Sequence, residues 1–168
     1  MLHVKKKVMK LLLELMKDSK KSDRELAKVL GVSQPTVSRT RSRLVKKGII
    51  QDFTVIPDFA EIGYKILAFT FIKATSVYAS KEYSNIRKEG LDWLAKQPNI
   101  IMGGACEGMG MSAFFISLHK DYSDLSEFKL RHRLEMGHFI DAVQTFLVDL
   151  EGKERLKPLG LKYLAEQE

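Results

Sequence analysis

The chain has 168 residues, of which 45% are hydrophobic and 29% charged, a composition typical of a folded globular protein rather than a disordered or fibrous one. We expect no membrane-spanning helix, because no run of 18 apolar residues occurs, and no secretory signal, because an amphipathic segment follows the basic N-terminus. The single cysteine, Cys106, excludes an internal disulfide and a multi-cysteine metal site. These features together favour a reducing, cytoplasmic setting.

The charge is concentrated at the N-terminus. Residues 1–52 contain 14 Lys and Arg against 5 Asp and Glu, a net charge of +9, whereas residues 53–168 contain 14 against 16, a net charge of −2. A basic block joined to a near-neutral remainder indicates a small module that binds a polyanion. From charge alone, a solvated or membrane-attracted face is the alternative, because net charge reports attraction and not fold.

The N-terminal block opens with two predicted helices. Apolar residues between Val4 and Leu15 recur at helical spacing and predict the first helix. Ser22 followed by Glu25 is a capping-box pattern, in which each side chain satisfies a backbone donor of the other, and it predicts the start of the second helix. Gly31 suits the C-terminal position of that helix, where a left-handed backbone is required.

A third helix follows almost at once. Ser33 is its predicted N-cap, Pro35 is tolerated in its first turn, and Gly48 ends it. The three residues 31–33 leave room only for the tight corner of a helix-turn-helix. Ile49–Ile56 then predicts a strand, which Pro57 ends.

From Ile66 onward the pattern alternates strands with helices. The predicted strands are Ile66–Ala74, Asn99–Cys106, Met111–Leu118 and Ile140–Leu150, and the predicted helices are Ser80–Gln97 and Asp121–Met136. The order βαββαβ is that of the ferredoxin-like arrangement, so the fold class is α+β. A glycine-containing turn at Glu107–Gly110 joins the middle strands as a hairpin.

The whole layout resembles the Lrp/AsnC (feast/famine) family of transcription regulators. The residues that carry the resemblance are Glu25–Arg39, Arg43-Leu44, Gly48–Ile50 and Ile62-Gly63-Tyr64. The resemblance implies a sequence-specific, homo-oligomeric DNA-binding regulator that responds to a small molecule. It implies a winged-type helix-turn-helix in residues 1–50, a linking strand and loop in 51–65, a ferredoxin-like effector and oligomerisation domain in 66–152, and a C-terminal tail in 153–168. The leucines of the tail segment Glu154–Glu166 predict a short helix that is broken around Pro158 and Gly160.

In a helix-turn-helix the second helix of the motif enters the major groove of DNA and its N-terminal residues meet base edges. Arginine pairs with guanine, glutamine with adenine, and a threonine methyl group with the thymine methyl group. Ser22, at a helix N-terminus, is placed to bring backbone N–H groups to a phosphate, although its first role is as a cap. The predicted DNA-binding residues are Ser22, Gln34, Pro35, Thr36, Ser38, Arg39, Arg41, Ser42, Arg43 and Lys46, with Arg39 the strongest candidate. Arg41 stands where the family usually has an aliphatic residue.

The resemblance also implies an effector pocket near the central hairpin, at a subunit interface. Relatives that bind amino acids carry Gly-x-x-Asp in this hairpin, whereas this chain has Gly108, Met109, Gly110 and Met111. The missing acidic group argues against an amino-acid effector of the usual type. The methionines predict a softer and more apolar pocket, with packing in the core or an interface as the alternative.

Catalytic and metal-binding patterns are not recognised in the sequence. The histidines lack metal-ligand spacing, and His132, in a charged run, is expected to be exposed. We therefore expect no enzyme activity, no catalytic residues, no metal and no cofactor. Two alternatives to a specific regulator share the layout: a chromatin-like architectural DNA-binding protein, and an enzyme resembling the sirohaem decarboxylases.

The phenylalanines supply more apolar surface than four strands and two short helices can bury. Phe69, Phe71, Phe114, Phe115 and Phe146 all lie in predicted strands. Large exposed apolar patches usually mark interfaces, so we expect a homo-oligomer formed through the C-terminal sheet.

Overall fold

The computed structural model describes residues 6–75, 83–152 and 159–166. The chain divides into two compact units. The first comprises the N-terminal residues through Ile56 together with the C-terminal segment, and the second extends from Pro57 through the sheet.

The N-terminal unit is built from three consecutive helices, α1 (Lys6–Lys17), α2 (Asp23–Leu30) and α3 (Gln34–Lys46). The predicted capping box is confirmed, because Ser22 Oγ accepts from the Glu25 backbone N–H and the Glu25 carboxylate accepts from the Ser22 backbone N–H. Gly31 caps α2 with a left-handed backbone (φ +62°), which confirms its predicted role. The turn between α2 and α3 is therefore set by local chemistry at both of its ends.

The core of this unit forms where the three helices meet. Leu11, Leu26, Val37 and Leu44 are almost fully buried in one cluster. Burial of each such side chain stabilises the fold by roughly 1.5–3 kcal/mol, and because the four come from all three helices, it fixes α2 and α3 against α1. The short C-terminal helix α6 (Lys162–Ala165) packs against α1 in the same unit, so the predicted tail does contain a short helix. The predicted helical segment began at Glu154, and residues 153–158 lie outside the described residues.

The second unit is a four-stranded antiparallel sheet with helices α4 and α5. In chain order its elements are β1 (Ile66–Ala74), α4 (Tyr83–Ala95), β2 (Ile100–Gly108), β3 (Met111–His119), α5 (Tyr122–Met136) and β4 (Ile140–Asp149). The strand order β2-β3-β1-β4 places β1 and β3 in the centre, which confirms the ferredoxin-like α+β fold. The first part of the predicted helix Ser80–Gln97 falls on residues outside the described ranges.

One face of the sheet is covered by α4 and α5. Trp93 from α4, Phe115 from β3 and Phe128 from α5 form its buried aromatic cluster, with ring centroids about 6 Å apart. Successive residues of a strand point to opposite faces, so Phe71 and Phe114, which are register partners, share the other face. The aromatic residues of β1 and β3 thus divide between a helix-covered face and an open face.

The linking segment does not form the predicted strand. No strand is assigned between residues 49 and 58, and none of the sheet's ladder pairs involves this segment. A strand requires a neighbouring strand for its backbone hydrogen bonds. The side chains of residues 51–56 are exposed, Val55 by 75%, whereas Ile49 and Ile50 pack against the core of the helical unit. The β-branched residues of Ile49–Ile56 favour a strand, but no described strand of this chain pairs with them.

The prediction of an exposed His132 is wrong. Its side chain is 6% exposed and lies between the rings of Trp93 and Phe115, at centroid distances of 4.8 and 5.4 Å. Burial lowers the pKa of the imidazole below its ordinary value, and Glu135 only partly opposes this. His132 is therefore an uncharged core residue despite the cations that surround it in sequence.

Candidate nucleic-acid interface

Helix α3 has one buried and one exposed face. Val37 and Leu44, seven residues apart, face the core of the N-terminal unit. The opposite stripe follows at intervals of four, three and four residues, which keeps its members on one side of a helix. This stripe, which we call the α3 outer stripe, consists of Pro35, Arg39, Ser42 and Lys46, and all four are exposed.

The predicted contact residues beside this stripe are also exposed. Gln34 and Ser38 lie on one flank of the α3 outer stripe, and Thr36 and Arg43 lie on the other. The side chains on both flanks carry hydrogen-bonding groups as well. The first two turns of α3 therefore present donors and acceptors to solvent. A surface of this kind can contact base edges without first losing contacts to its own fold.

The N-terminus of α3 is ordered by hydroxyl groups. Ser33 occupies the predicted N-cap position, but its side chain makes no hydrogen bond to the helix backbone. Its Oγ instead lies 2.8 Å from Thr36 Oγ1, and Thr40 Oγ1 donates to the Thr36 carbonyl at 2.7 Å. The hydroxyl groups of Ser33 and Thr40 therefore hold Thr36 in place within the protein itself.

Arg39 lies at the centre of the outer stripe. Its Nε donates to the Pro35 carbonyl oxygen one turn earlier, at 3.3 Å. This bond directs the side chain along the helix toward its N-terminus and leaves the two terminal guanidinium nitrogens for bidentate pairing with an acceptor such as guanine.

Arg41 is held differently from the other cations of α3. Its Nη2 lies 3.0 Å from Asp23 Oδ1 at the start of α2, and its side chain is only half-buried. The guanidinium of Arg41 is therefore paired within the protein on a partly buried side chain. The unusual position of Arg41 is visible in the sequence, but its pairing with Asp23 is not.

A second group of ion pairs was not predicted from the sequence. Glu14 of α1 is nearly buried, and its two carboxylate oxygens contact Lys17 and Lys21. The hydrogen bond from Lys21 is the main reason that the pKa of Glu14 lies below its usual value, with Lys17 contributing and burial opposing. Two cations of the basic block therefore stabilise the fold. The spacing of Glu14 and Lys17, i and i+3, was the available signal.

The ten predicted DNA-binding residues fall into three groups. Eight belong to the outer stripe of α3 or its flanks, and they are Gln34, Pro35, Thr36, Ser38, Arg39, Ser42, Arg43 and Lys46. Arg41 lies at the α2–α3 junction, and Ser22 is exposed at the N-terminus of α2.

The four predicted effector residues form the tip of the β2–β3 hairpin. Gly108, Met109 and Gly110 all have positive φ angles, and the Met109 side chain is 91% exposed. Positive φ at Met109 is unusual for a residue with a side chain and marks a tight turn. They do not line the cavity beside the hairpin strands. The cavity beside the hairpin strands is lined instead by residues such as Ala105 and Ala113.

The described ranges contain neither a metal-binding cluster nor a membrane-spanning helix. Over residues 6–75, 83–152 and 159–166, no group of three or more His, Cys, Asp and Glu is placed to hold a metal ion. In the same part of the chain, no helix is both long enough and apolar enough to cross a bilayer.

Comparison with known proteins agrees with this geometry. Residues 5–51 match the family described as winged helix-turn-helix DNA-binding. The HTH-type transcriptional regulator FL11 of Pyrococcus furiosus is 30% identical to this chain over 129 residues, which span 77% of this chain and 72% of FL11. The matched region of FL11 thus extends well beyond the helix-turn-helix.

Solved structures share the complete fold. An AsnC family transcriptional regulator from Agrobacterium tumefaciens superposes with a TM-score of 0.71 at 20% identity, over 95% of this chain and 98% of that one. The transcriptional regulator NMB0573 of Neisseria meningitidis, solved as a complex with L-Met, gives a TM-score of 0.73 at 20% identity, over 95% and 97%. The α3 surface, the ferredoxin-like sheet and these likenesses agree: the chain is a helix-turn-helix transcription regulator and belongs to the Lrp/AsnC family.

Proposed function

We propose that the protein binds a specific sequence of double-stranded DNA as a homodimer or higher oligomer, and that a small molecule modulates this binding. The observation that carries the proposal is the α3 outer stripe, an exposed face on a helix whose other face is fixed in a core. The relatives named in the comparisons are transcription regulators, which supports a regulatory rather than a catalytic role.

The proposed contacts divide by chemistry. Gln34, Thr36, Ser38 and Arg39 lie at the N-terminal half of α3 and would meet base edges, which determine sequence preference. Ser42, Arg43 and Lys46 follow one to two turns later and would meet phosphates, which determine affinity and its salt dependence. Ser22 would bring the first backbone N–H groups of α2 to a phosphate, and Arg41 would support α3 from behind.

Oligomerisation is supported by the open face of the sheet. Phe71 stacks on Phe114 at a centroid distance of 6.4 Å and meets Phe146 edge-on at 6.0 Å. Phe146 remains 58% exposed, and Val148, two residues further along β4 and on the same face, is exposed as well. A second copy of the chain that packs on this face would remove these side chains from water and would pair two recognition helices for two half-sites.

Modulation by a small molecule is supported by a structural relative. NMB0573 shares the fold and was solved with L-Met. In this chain the hairpin tip at Gly108, Met109, Gly110 and Met111 would require a second subunit to cover it, because Met109 is 91% exposed.

Selection of binding sites from a random DNA pool, followed by fluorescence anisotropy, tests the proposal. We expect a defined consensus, and we expect Arg39→Ala to weaken specific binding by about 1–3 kcal/mol because a bidentate base contact is lost. Binding to random DNA should change much less, since one phosphate contact at most is removed.

Arg133→Ala is the matched control, because Arg133 is an exposed arginine on α5 of the sheet unit. Equal effects of the two substitutions would reject the assigned recognition helix. A wild-type ratio of specific to non-specific affinity near one would instead favour the architectural alternative.

A further inference from the structure

A cavity lies between α4 and the helix-covered face of the sheet. Its volume is about 260 Å³, and it is lined by residues of α4, α5 and the four strands. An apolar cavity of roughly 150 Å³ is large enough for a benzene ring, so this one accommodates a ring or branched chain with a small substituent.

Small residues leave the cavity unfilled. Gly90 of α4 lines it from one side, and a Cβ placed there would meet nothing within 4 Å. Ala105 and Ala113, register partners in β2 and β3, line it from the other. Larger aliphatic residues at these positions would fill the space and stabilise the unit, because unfilled apolar volume weakens a core. The three small residues thus preserve a space that packing alone would close.

One buried polar ring faces this space without a hydrogen-bond partner. His132 is 6% exposed and lines the cavity, and its ring nitrogens make no hydrogen bond to any part of the chain that the structure describes. The Ser112 hydroxyl, by contrast, already has two partners, since it accepts from the Ala74 N–H and donates to the Ile72 carbonyl. The His132 ring nitrogens are not among the described side-chain atoms that are both fully buried and unpartnered, and they can donate to or accept from a ligand without first breaking a hydrogen bond to the described chain.

The charges on the lining determine the class of ligand. Arg87 of α4 lines the cavity and forms no ion pair with a described residue. Burial lowers the pKa of His132, so its imidazole is neutral near pH 7. Among the described lining residues there is no carboxylate, and an ammonium group would therefore find no counter-charge.

We propose that this cavity binds a small carboxylate with an aromatic or branched aliphatic body and no α-amino group. The apolar body lies between Gly90 and the Ala105–Ala113 pair, its carboxylate pairs with Arg87, and His132 supplies a hydrogen bond. The site lies within one chain and includes none of the hairpin-tip residues Gly108–Met111. Its role as an effector site rests on the proposed function, whereas binding itself does not.

Trp93, the single tryptophan, lines the cavity, so its fluorescence reports on occupancy in the full-length protein. The probes are 3-phenylpropanoate and 4-methylpentanoate, each compared with the amino acid of the same skeleton, L-phenylalanine or L-leucine. The uncharged amide 3-phenylpropanamide isolates the contribution of the carboxylate. We expect a saturable change in Trp93 emission with at least one carboxylate and at least tenfold weaker binding of its amino-acid counterpart and of the amide.

Two variants test the assigned contacts. Arg87→Gln should weaken carboxylate binding about tenfold and leave amide binding unchanged, with Lys88→Gln as the control on the next residue of α4. Gly90→Leu should abolish binding of all probes, while Gly90→Ala retains it. The proposal is overturned if neither carboxylate gives a saturable change, if the amino acids bind equally well, or if Arg87→Gln has no effect.

DNA affinity is measured separately for each variant. Loss of probe binding with normal DNA binding in Gly90→Leu supports the cavity assignment. If the protein binds a carboxylate saturably but selects no DNA sequence, the proposed function is rejected and the proposed ligand site is retained.

Discussion

The role of an individual side chain in this molecule does not follow from its residue type alone. Arg39 and Arg41 are two residues apart in a basic helix, yet one points to solvent and the other pairs with Asp23. The difference arises from helical periodicity, because Arg41 lies close to the direction of the buried Val37 and Leu44, whereas Arg39 lies opposite. Equal charge therefore leads to unequal roles.

The pair of Arg41 with Asp23 leads to a prediction on stability. Arg41→Met should lower the free energy of unfolding by about 1–2 kcal/mol, because Asp23 loses its partner in a partly buried position. In the double variant Asp23→Asn, Arg41→Met, the loss should be smaller than the sum of the two single effects. Urea titration followed by far-UV circular dichroism measures all three. Strict additivity would show that the ion pair does not couple α2 to α3.

A second prediction at this scale concerns pH. Burial lowers the pKa of His119 and of His132 below the ordinary value of 6.5, with Asp124 and Glu135 opposing it in turn. The unfolded chain therefore binds more protons than the folded one just below pH 6.5, and stability falls as the pH falls through this window. Each histidine contributes a slope of at most about 1.4 kcal/mol per pH unit.

Urea titrations between pH 8 and pH 5, followed by Trp93 fluorescence, measure this slope. The variant His132→Phe should flatten it, since an aromatic ring of similar size replaces the titrating one among Trp93 and Phe115. An unchanged slope in this variant would exclude His132 as a source of the pH dependence.

Secondary-structure elements were predictable where their ends are fixed locally. The box of Ser22 with Glu25 and the left-handed Gly31 are properties of a few adjacent residues, so the sequence contains all the information that the turn requires. The linker was not predictable in this way, because a strand depends on a partner that is remote in sequence or belongs to another chain.

The burial of His132 was wrongly predicted from its charged neighbours in sequence. Its spacing from Leu125 and Phe128, at i, i+3 and i+7, was the better signal of a buried face.

The capping box gives a prediction at the scale of the element. Ser22→Ala removes the side-chain acceptor for the Glu25 N–H and should cost about 1 kcal/mol of stability in the N-terminal unit. Ser19→Ala, in the exposed turn before the helix, should have little effect. Thermal unfolding by circular dichroism compares the two. Equal stability of both variants would mean that α2 does not depend on its cap.

At the scale of the whole molecule, the proposed function draws on both units. The N-terminal unit has its own core and orients α3, but one recognition helix reads only one half-site. The sheet unit covers one face with α4 and α5 and leaves aromatic residues on the other. The cavity of the sheet unit was not predictable from sequence, because it is the volume that several elements together leave unfilled.

The open face therefore carries the last prediction, on assembly. Phe146→Glu places a charge on an exposed aromatic position that contacts Phe71, and desolvating that charge in an interface would be costly. We expect light scattering after size exclusion to give a dimer or larger for the wild type and a monomer for this variant. Leu134→Glu, at a position on α5 that is 75% exposed, should leave the dimer intact. The monomer should also lose most of its specific DNA affinity, because two linked half-sites become two independent weak ones. A wild-type monomer, or a Phe146→Glu protein that remains dimeric, would place the interface elsewhere on the molecule.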